Sequence, residues 1–380
     1  MSMSNAESIR SSGERRTALL PASTKVLELG DTVATGTAGR YLERLGAQVT
    51  RVLPVGAPTE TADLAPLIGE GDNTRSAVAE WLHHGKNLVS IDLGSADGRG
   101  RLELLLDEAD VVLIAGTSAE WEGFGVPVAH IRETASRAVI GQITHWGDSG
   151  PYTRLHGSEL LAQAAGGLMN VIGVMEREPV RLGGHVMQAT TGLLALDGVM
   201  IGLFRRQNTG EGAFFTTSDF ESVAHLEWKI ASATQAGRPR ERRGQDGGGP
   251  VVVRTRDGHF AMFFTPPHWD DVKKIVGDPR LDEDRFKDPA ARAQHQAELA
   301  AVIEETTRTL SKTDLYHRAQ SRGIPAGHVA TMSDLLTSPQ ARSRKFFQSV
   351  EIDGVGAGEI PDAPWQILTS DDAGSEVNVA

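Results

Sequence analysis

Lys25-Val26-Leu27-Glu28-Leu29-Gly30 and Gln48-Val49-Thr50-Arg51-Val52-Leu53 are two short runs rich in aliphatic and β-branched residues. Such runs, bounded by glycine or proline, are typical of buried β-strands. Between them, Thr37 to Leu45 has the pattern of a helix. A strand, a helix and a second strand in this order predict a βαβ unit with its two strands in parallel.

The same alternation continues downstream. A helical pattern covers Gly98 to Glu108, and further strand-like runs lie at Leu88–Leu93, Asp110–Ile114 and Ala138–Ile143. Strands that alternate with helices favour a mainly parallel sheet covered on both faces. We therefore predict the α/β fold class, with a large domain over residues 23–225.

The pattern of predicted strands and helices changes after the linker Ala236–Arg240. Short strands are followed there by a run of charged helices, which predicts a smaller α+β domain over residues 226–330. This domain contains the glycine-rich loop Gly247-Gly248-Gly249, where backbone conformations closed to other residues become accessible. Residues 331–380 are expected to return to the large domain, and residues 1–22 to form a loose N-terminal tail.

One long apolar segment, Gly183 to Phe204, has about the length of a membrane span. It contains His185, Gln188 and Asp197, which favour a buried core helix over a spanning one. No membrane is therefore expected as a partner.

Composition narrows the classes of function. The 380 residues include 38 basic and 50 acidic side chains, for a net charge of -12, so nucleic acid is not expected as a partner. The absence of cysteine excludes disulfides, thiolate catalysis and cysteine-ligated metals, and it favours a cytoplasmic location. No histidine or carboxylate spacing indicates a metal site.

The segment Gly157-Ser158-Glu159 carries the strongest chemical signal. It follows the Gly/Pro-containing loop His145 to Tyr152 and precedes an apolar helical pattern. Ser158 is a good N-cap, which places Glu159 in the first turn, where a carboxylate is stabilised. Such a carboxylate, facing a crevice at the strand ends, is a candidate nucleophile for a carbonyl carbon. The alternative interpretation is a purely structural helix start.

Two other motifs are weaker. Gly30, Gly36 and Gly39 follow the first strand, but their spacing is not that of a dinucleotide-binding loop, and no acidic residue ends the second strand. Gly147-Asp148-Ser149-Gly150-Pro151 is similar to a serine-protease loop, but that class is all-β and disulfide-bonded. A nicotinamide enzyme and a serine protease are both disfavoured.

The chain resembles the family III CoA-transferases, a group that includes formyl-CoA:oxalate and carnitine CoA-transferases and the related α-methylacyl-CoA racemases. The resemblance runs from Lys25 to about Glu351. It depends on the order of many short matches, among them Val26-Leu27-Glu28-Leu29, Ala38-Gly39-Arg40, Gly85-Lys86, Ser149-Gly150-Pro151-Tyr152, Ala162-Gln163-Ala164, Thr209-Gly210-Glu211-Gly212 and Gly323-Ile324-Pro325-Ala326-Gly327.

The resemblance implies a Rossmann-like large domain with a parallel sheet, a small domain, and two subunits threaded through each other as interlocked rings. It also implies transfer of CoA from an acyl-CoA to a small carboxylic acid through a carboxylate-linked anhydride and thioester. The CoA thioester is then a substrate, and no cofactor is permanently bound.

Site residues follow from the same resemblance. The catalytic aspartate of the family lies in a Gly-Tyr-Asp-type motif that matches Gly157-Ser158-Glu159, so Glu159 occupies the catalytic position. Arg40 and Lys86 match positions that help to bind CoA. Gly247, Gly248 and Gly249 resemble the loop that shields the intermediate in formyl-CoA:oxalate transferase.

Two alternatives to a self-sufficient transferase stay open. The chain could be a non-catalytic subunit of a heteromer with a paralogous partner, since some family members are encoded as unequal pairs. It could also be an acyl-CoA racemase. Racemases of the group carry a histidine beside the acidic residue, where this chain has Ser158, so that alternative would depend on His156 or His185.

Overall fold

The computed structural model describes residues 18–173, 177–238 and 251–367. Within them the chain divides into two compact units. The first unit comprises residues 18–169, 181–229 and 345–367. The second comprises residues 170–173, 177–180, 230–238 and 251–344.

A six-stranded parallel sheet forms the centre of the first unit. Its strands are β1 Lys25–Leu29, β2 Gln48–Pro54, β3 Asn87–Ile91, β4 Val111–Ala115, β5 Val139–Thr144 and β6 Ala213–Ser218. They lie in the order β3-β2-β1-β4-β5-β6. This order reverses direction between β1 and β4, as in Rossmann-like folds. The predicted α/β class with a parallel sheet is confirmed.

Apolar cores cover both faces of the sheet, because successive side chains of a strand point to opposite faces. In β4, Val112 and Ile114 belong to one core, and Val111 and Leu113 belong to the other. These four residues are fully buried. A strand without a polar residue is therefore expected at this central position of a parallel sheet.

Helices and short turns connect the strands. The helices that precede the second unit's sheet are α1 Val33–Arg44, α2 Ala77–His83, α3 Ala96–Asp107, α4 Ser118–Gly123, α5 Val128–Thr134, α6 Glu159–Ala165, α7 Leu168–Val171, α8 Val186–Thr209, α9 Asp219–Leu226 and α10 Trp228–Gln235. A two-residue antiparallel pair joins Leu67–Ile68 to Arg75–Ser76, next to the 3₁₀ turn Gly71–Asn73.

Helix α8 begins later than its apolar pattern predicts. Gly184 and His185 both have positive φ, which ends the preceding loop and sets the helix start at Val186. By length and composition α8 could cross a membrane. In the structure it packs instead on α1 and on β5 and β6, with Ala195 and Val199 fully buried. One face of α8 is therefore buried, while Ile201 and Phe204 are exposed.

A buried ion pair links β1, β3 and α1. The Lys86 ammonium donates to Glu28 Oε2 at 2.6 Å and to the Gly36 carbonyl at 2.9 Å, and both charged side chains are 0% exposed. Burial lowers the pKa of Lys86, and the Glu28 carboxylate opposes this shift. A Cβ at Gly39 would lie 2.8 Å from Nζ and closer still to Glu28 Oε2. Glycine at 39 therefore makes room for the pair.

The second unit has a three-stranded antiparallel sheet of β7 Val251–Thr255, β8 Gly258–Met262 and β9 Ala326–His328. Its helices are α11 Trp269–Val276, α12 Pro289–Gln294, α13 Gln296–Thr307, α14 Lys312–Gln320, α15 Met332–Leu336 and α16 Pro339–Ser343, with 3₁₀ turns at Pro266–His268, Pro279–Asp282 and Asp284–Phe286. The strands form an antiparallel sheet of their own beside the helices, so the predicted smaller α+β part is confirmed. The loop Gly247–Gly249 lies outside the described residues.

The C-terminal part of the first unit is a hairpin of β10 Phe347–Ile352 and β11 Gly356–Pro361. A bidentate ion pair holds it to α1: Arg44 Nε donates to Asp362 Oδ1 at 2.6 Å, and Nη2 donates to Oδ2 at 2.9 Å. The Trp81 indole N–H also donates to the Pro361 carbonyl. These contacts join distant parts of the chain in one unit.

Replacing Lys86 with methionine should destabilise the protein by about 3–5 kcal/mol, because the Glu28 carboxylate stays buried without its partner. The double variant Glu28→Leu/Lys86→Met removes both charges and should recover most of this loss. Urea unfolding measures both. If Lys86→Met leaves stability unchanged and raises only the KM for acyl-CoA, the lysine serves the substrate rather than the fold.

Replacing Gly192 with alanine should cost about 1–3 kcal/mol through overpacking. A Cβ there would lie 2.7 Å from Thr37 Cβ and closer still to the Ala34 carbonyl oxygen, so α8 and α1 would have to separate. Gly100→Ala in α3 is the matched control, since no neighbouring atom lies within 4 Å of the position that a Cβ would take there. That variant should gain about 0.5–1 kcal/mol from helix propensity. Equal thermal unfolding of the two variants would contradict the close helix contact.

Candidate functional site

Glu159 is the first residue of α6 and is held in the interior of the first unit. The Ser158 hydroxyl caps the helix by accepting from the Leu161 N–H at 3.3 Å. Glu159 is only 6% exposed. The sequence-predicted N-cap therefore sets a carboxylate at a defined point, where a side chain of this charge is rarely buried without a specific role.

The two carboxylate oxygens of Glu159 have different surroundings. Oε1 accepts from Gln163 Nε2 at 3.0 Å and from the Met187 backbone N–H at 3.2 Å. Oε2 is buried and accepts no hydrogen bond from any residue that the structure describes. His185 Nδ1 lies 3.5 Å from it. One oxygen thus anchors the side chain, and the other is buried without a hydrogen bond.

Gln163 and the residues just before α8 hold the Glu159 side chain in place. The Gln163 side chain donates to the Leu182 carbonyl at 3.1 Å and accepts from the Leu182 N–H at 2.9 Å, so it ties the loop before α8 to α6. His185 then adopts a left-handed backbone with φ 56°. This conformation is uncommon for a residue with a side chain, and such residues cluster at functional sites.

A second group of ionisable side chains lies beside this region. His145 Nδ1 is 2.7 Å from Asp219 Oδ2. Gln188, which follows Met187, donates from Nε2 to Glu60 Oε1 at 2.7 Å. Burial raises the pKa of Glu60, and its hydrogen bond from Gln188 opposes this shift. Sequence reasoning did not single out His145, Asp219 or Glu60.

The predicted CoA contacts Arg40 and Lys86 occupy internal positions. Arg40 is 1% exposed, and its guanidinium donates to Glu43, to the His84 carbonyl and to Gln348. Lys86 is bound to Glu28 as described above. Their contribution to CoA binding stays a prediction, and so does that of Gly247–Gly249. No cluster of three or more potential metal ligands occurs among the described residues.

Asp31, after β1, belongs to a further buried network. Its carboxylate binds Arg51 Nη2 at 2.9 Å and accepts from the Thr61 hydroxyl at 2.8 Å. Burial acts to raise the pKa of Asp31, but hydrogen bonding with His83 and Thr61 and the charge of Arg51 lower it overall. This network fixes the loop after β2, which also carries Glu60.

Comparisons with known proteins agree with this architecture. The model of CoA-transferase family III matches residues 22–372. The succinyl-CoA–D-citramalate CoA-transferase of Chloroflexus aurantiacus is 27% identical over 347 residues, which cover 87% of this chain and 84% of that protein. BbsE, a subunit of succinyl-CoA:(R)-benzylsuccinate CoA-transferase from Thauera aromatica, is 26% identical over 352 residues, with coverage of 87% and 85%.

A solved structure shows the same fold. The crystal structure of a CaiB/BaiF family protein from Brucella suis superposes with a TM-score of 0.82 at 25% identity, and the match covers 94% of each chain. The relatives carry CoA-transferase names, and the family match extends over nearly the whole sequence. The chain is therefore an enzyme that belongs to CoA-transferase family III.

Proposed function

We propose that this chain moves CoA from an acyl-CoA donor to a small carboxylic acid, with Glu159 as the covalent carrier. The observation that carries the proposal is the asymmetric setting of the Glu159 carboxylate: Oε1 is anchored by Gln163 and Met187, and Oε2 accepts no hydrogen bond among the residues described. Because the named relatives use succinyl-CoA, we propose succinyl-CoA as the donor.

The reaction requires only carboxylate and thiolate exchange. Glu159 Oε2 attacks the acyl carbon, the C–S bond breaks, and a mixed anhydride and CoA thiolate form. The thiolate attacks the Glu159 carbonyl, releases the donor acid and leaves CoA as a glutamyl thioester. The acceptor carboxylate attacks this thioester to form a second anhydride, and the thiolate then takes the new acyl group. Charge is conserved throughout, and no redox step occurs.

Glutamate in place of the family's aspartate extends the reacting oxygens by roughly 1 Å, and a displacement of that order costs about 10²-fold when the site is not adjusted. Here Gln163 Nε2 and the Met187 N–H both donate hydrogen bonds to Oε1 of the longer side chain. These two hydrogen bonds to Glu159 Oε1 support the proposal that the site is adapted to glutamate. The fully buried Gln163 contacts both this oxygen and the loop before α8.

A racemase would place its acid and its base on opposite sides of the substrate's α-carbon. His185 Nδ1 instead lies 3.5 Å from Glu159 Oε2, which leaves no space for a carbon atom between them. This contact favours acyl transfer over racemisation at these two residues.

A second candidate function is that of a subunit in a heteromer, and the subunit name of the Thauera aromatica relative favours it. In that case a paralogous partner supplies the reacting carboxylate, and the two chains form the interlocked assembly. Co-expression with a paralogue, followed by light scattering, measures the assembly. Activity of the mixed complex that survives Glu159→Ala would establish this function in place of the first.

Incubation with succinyl-CoA should attach CoA to the peptide that contains Glu159, and mass spectrometry detects the adduct. Glu159→Gln should abolish the adduct and lower kcat by about 10⁴-fold or more, because an amide is a poor nucleophile and the covalent route is lost. Glu122→Gln, at an exposed position of α4, is the matched control and should retain both. A wild-type peptide that stays unmodified in active enzyme would contradict the proposal.

A further inference from the structure

His145 and Asp219 are brought together by the sheet. Strands β5 and β6 run in parallel with Thr144 opposite Ser218, so the next residue of each strand reaches the same edge at the same height. These residues are His145 and Asp219, and His145 Nδ1 bonds Asp219 Oδ2 at 2.7 Å. The Asp219 side chain is 2% exposed, whereas that of His145 is 29% exposed. The carboxylate is therefore the buried anchor, and the imidazole is the accessible group.

The surrounding contacts hold this pair rigidly. The Phe220 N–H donates to the His145 carbonyl at 3.1 Å, next to the side-chain bond. Trp146 lies 5.9 Å from Phe220 and 5.6 Å from Tyr152, measured between ring centroids. The residues that follow His145 and Asp219 thus pack against each other, which limits the orientations open to the imidazole.

The His145 side chain packs on the loop that leads into α6. A Cβ at Gly157 would lie 2.5 Å from His145 Cδ2 and closer still to Cβ and Cγ, so the ring lies directly on the Gly157 backbone. Cδ2 is bonded to Nε2, and Nδ1 is occupied by Asp219. The Cγ–Cδ2 edge of the ring therefore packs on Gly157, two residues before Glu159.

The charges around His145 favour its cation. Burial alone would lower the pKa of His145, but the Asp219 carboxylate, together with Glu60 and Glu120, raises it above the ordinary value. Asp219 belongs to α9, Glu60 to the loop after β2, and Glu120 to α4. Asp219 Oδ1 has no hydrogen-bond partner among the described residues, which leaves its charge to act on the imidazole.

We propose that His145 is a further catalytic residue of the transfer: its Nε2–H, presented by Asp219, stabilises the negative charge that passes from Glu159 to the thioester oxygen and then to the CoA sulfur. This inference rests on the proposed function of Glu159. When Oε2 bonds to the acyl carbon, its charge moves to the carbonyl oxygen; when the C–S bond breaks, it moves to sulfur. No proton is transferred, and the imidazolium acts as a hydrogen-bond donor and cation. Asp219 is the positioning residue.

The test is the single-turnover rate at which succinyl-CoA alone forms the Glu159 adduct, measured against pH. In the wild type this rate should fall as pH rises through the elevated pKa of His145, because the cation is lost. His145→Gln should lower the maximal rate by about 10²-fold, leave the half-saturating succinyl-CoA concentration unchanged, and abolish this alkaline limb. Asp219→Asn removes a supporting negative charge and should move the limb to lower pH.

His130→Gln is the matched control, since His130 pairs with Glu103 at an exposed site on α5. It should leave the rate and its pH profile unchanged. Nitrogen-15 NMR of the imidazoles gives the titration of His145 directly and checks that the limb follows it. The protein has no cysteine, so a thiol reagent added to the reaction reacts only with the free thiol of released CoA and not with the protein.

Each failure has its own signature. If the wild type forms no adduct on Glu159, the proposed function fails. If it forms the adduct and His145→Gln does so at the same rate with the same pH profile, only the role of His145 fails. A rate that falls while the alkaline limb persists in His145→Gln would show a merely structural histidine. An unchanged maximal rate with a raised half-saturating concentration would show substrate binding instead, and it would also overturn the proposal.

Discussion

The parallel hydrogen-bonded register of the central sheet is the constraint on which the site depends. When strands run in one direction, the residues that follow them all emerge at one edge, and ligands bind in α/β folds outside this edge. Asp31 follows β1, and the loop after β2 carries Glu60. His145 and Asp219 follow β5 and β6 in matching register. Groups that are far apart in the sequence therefore reach a common region without any motif that joins them.

Stability and chemistry are distributed differently in the first unit. Lys86 with Glu28, and Arg44 with Asp362, are ion pairs that connect strands, helices and the C-terminal hairpin. Each of these charged groups has a partner of opposite sign at hydrogen-bond distance. Glu159 Oε2 lies 3.5 Å from His185 Nδ1 and has no hydrogen-bond partner among the residues described, and Glu28 Oε1 and Asp219 Oδ1 likewise have none there. A buried polar atom without a partner costs free energy, and the proposed transfer would account for that cost at Glu159.

The described residues around Glu159 include two histidines. His185 lies near Oε2, and His145 is bound to Asp219. Acidic neighbours raise the pKa of His145, so the charge of this imidazole depends on pH. Burial raises the pKa of Glu60, and the hydrogen bond from Gln188 opposes this shift. These features suit a reaction in which carboxylates and thiolates exchange places.

The sequence by itself determined the α/β class, the parallel sheet and the position of Glu159 behind a serine N-cap, because these depend on local periodicity and capping. The sequence shows a glycine at position 39 but not why a larger residue is absent there. The structure gives the reason, because a Cβ at this position would collide with the buried Lys86–Glu28 pair. The start of α8 was predicted at Gly183 but lies at Val186, since positive φ at His185 is a tertiary feature that an apolar pattern does not encode. Only the tertiary structure shows that the Met187 backbone N–H donates to Glu159, and that His145 forms a hydrogen bond with Asp219, 74 positions later in the sequence. Such contacts depend on strand register and helix packing, and no local pattern records which distant residues will share an edge.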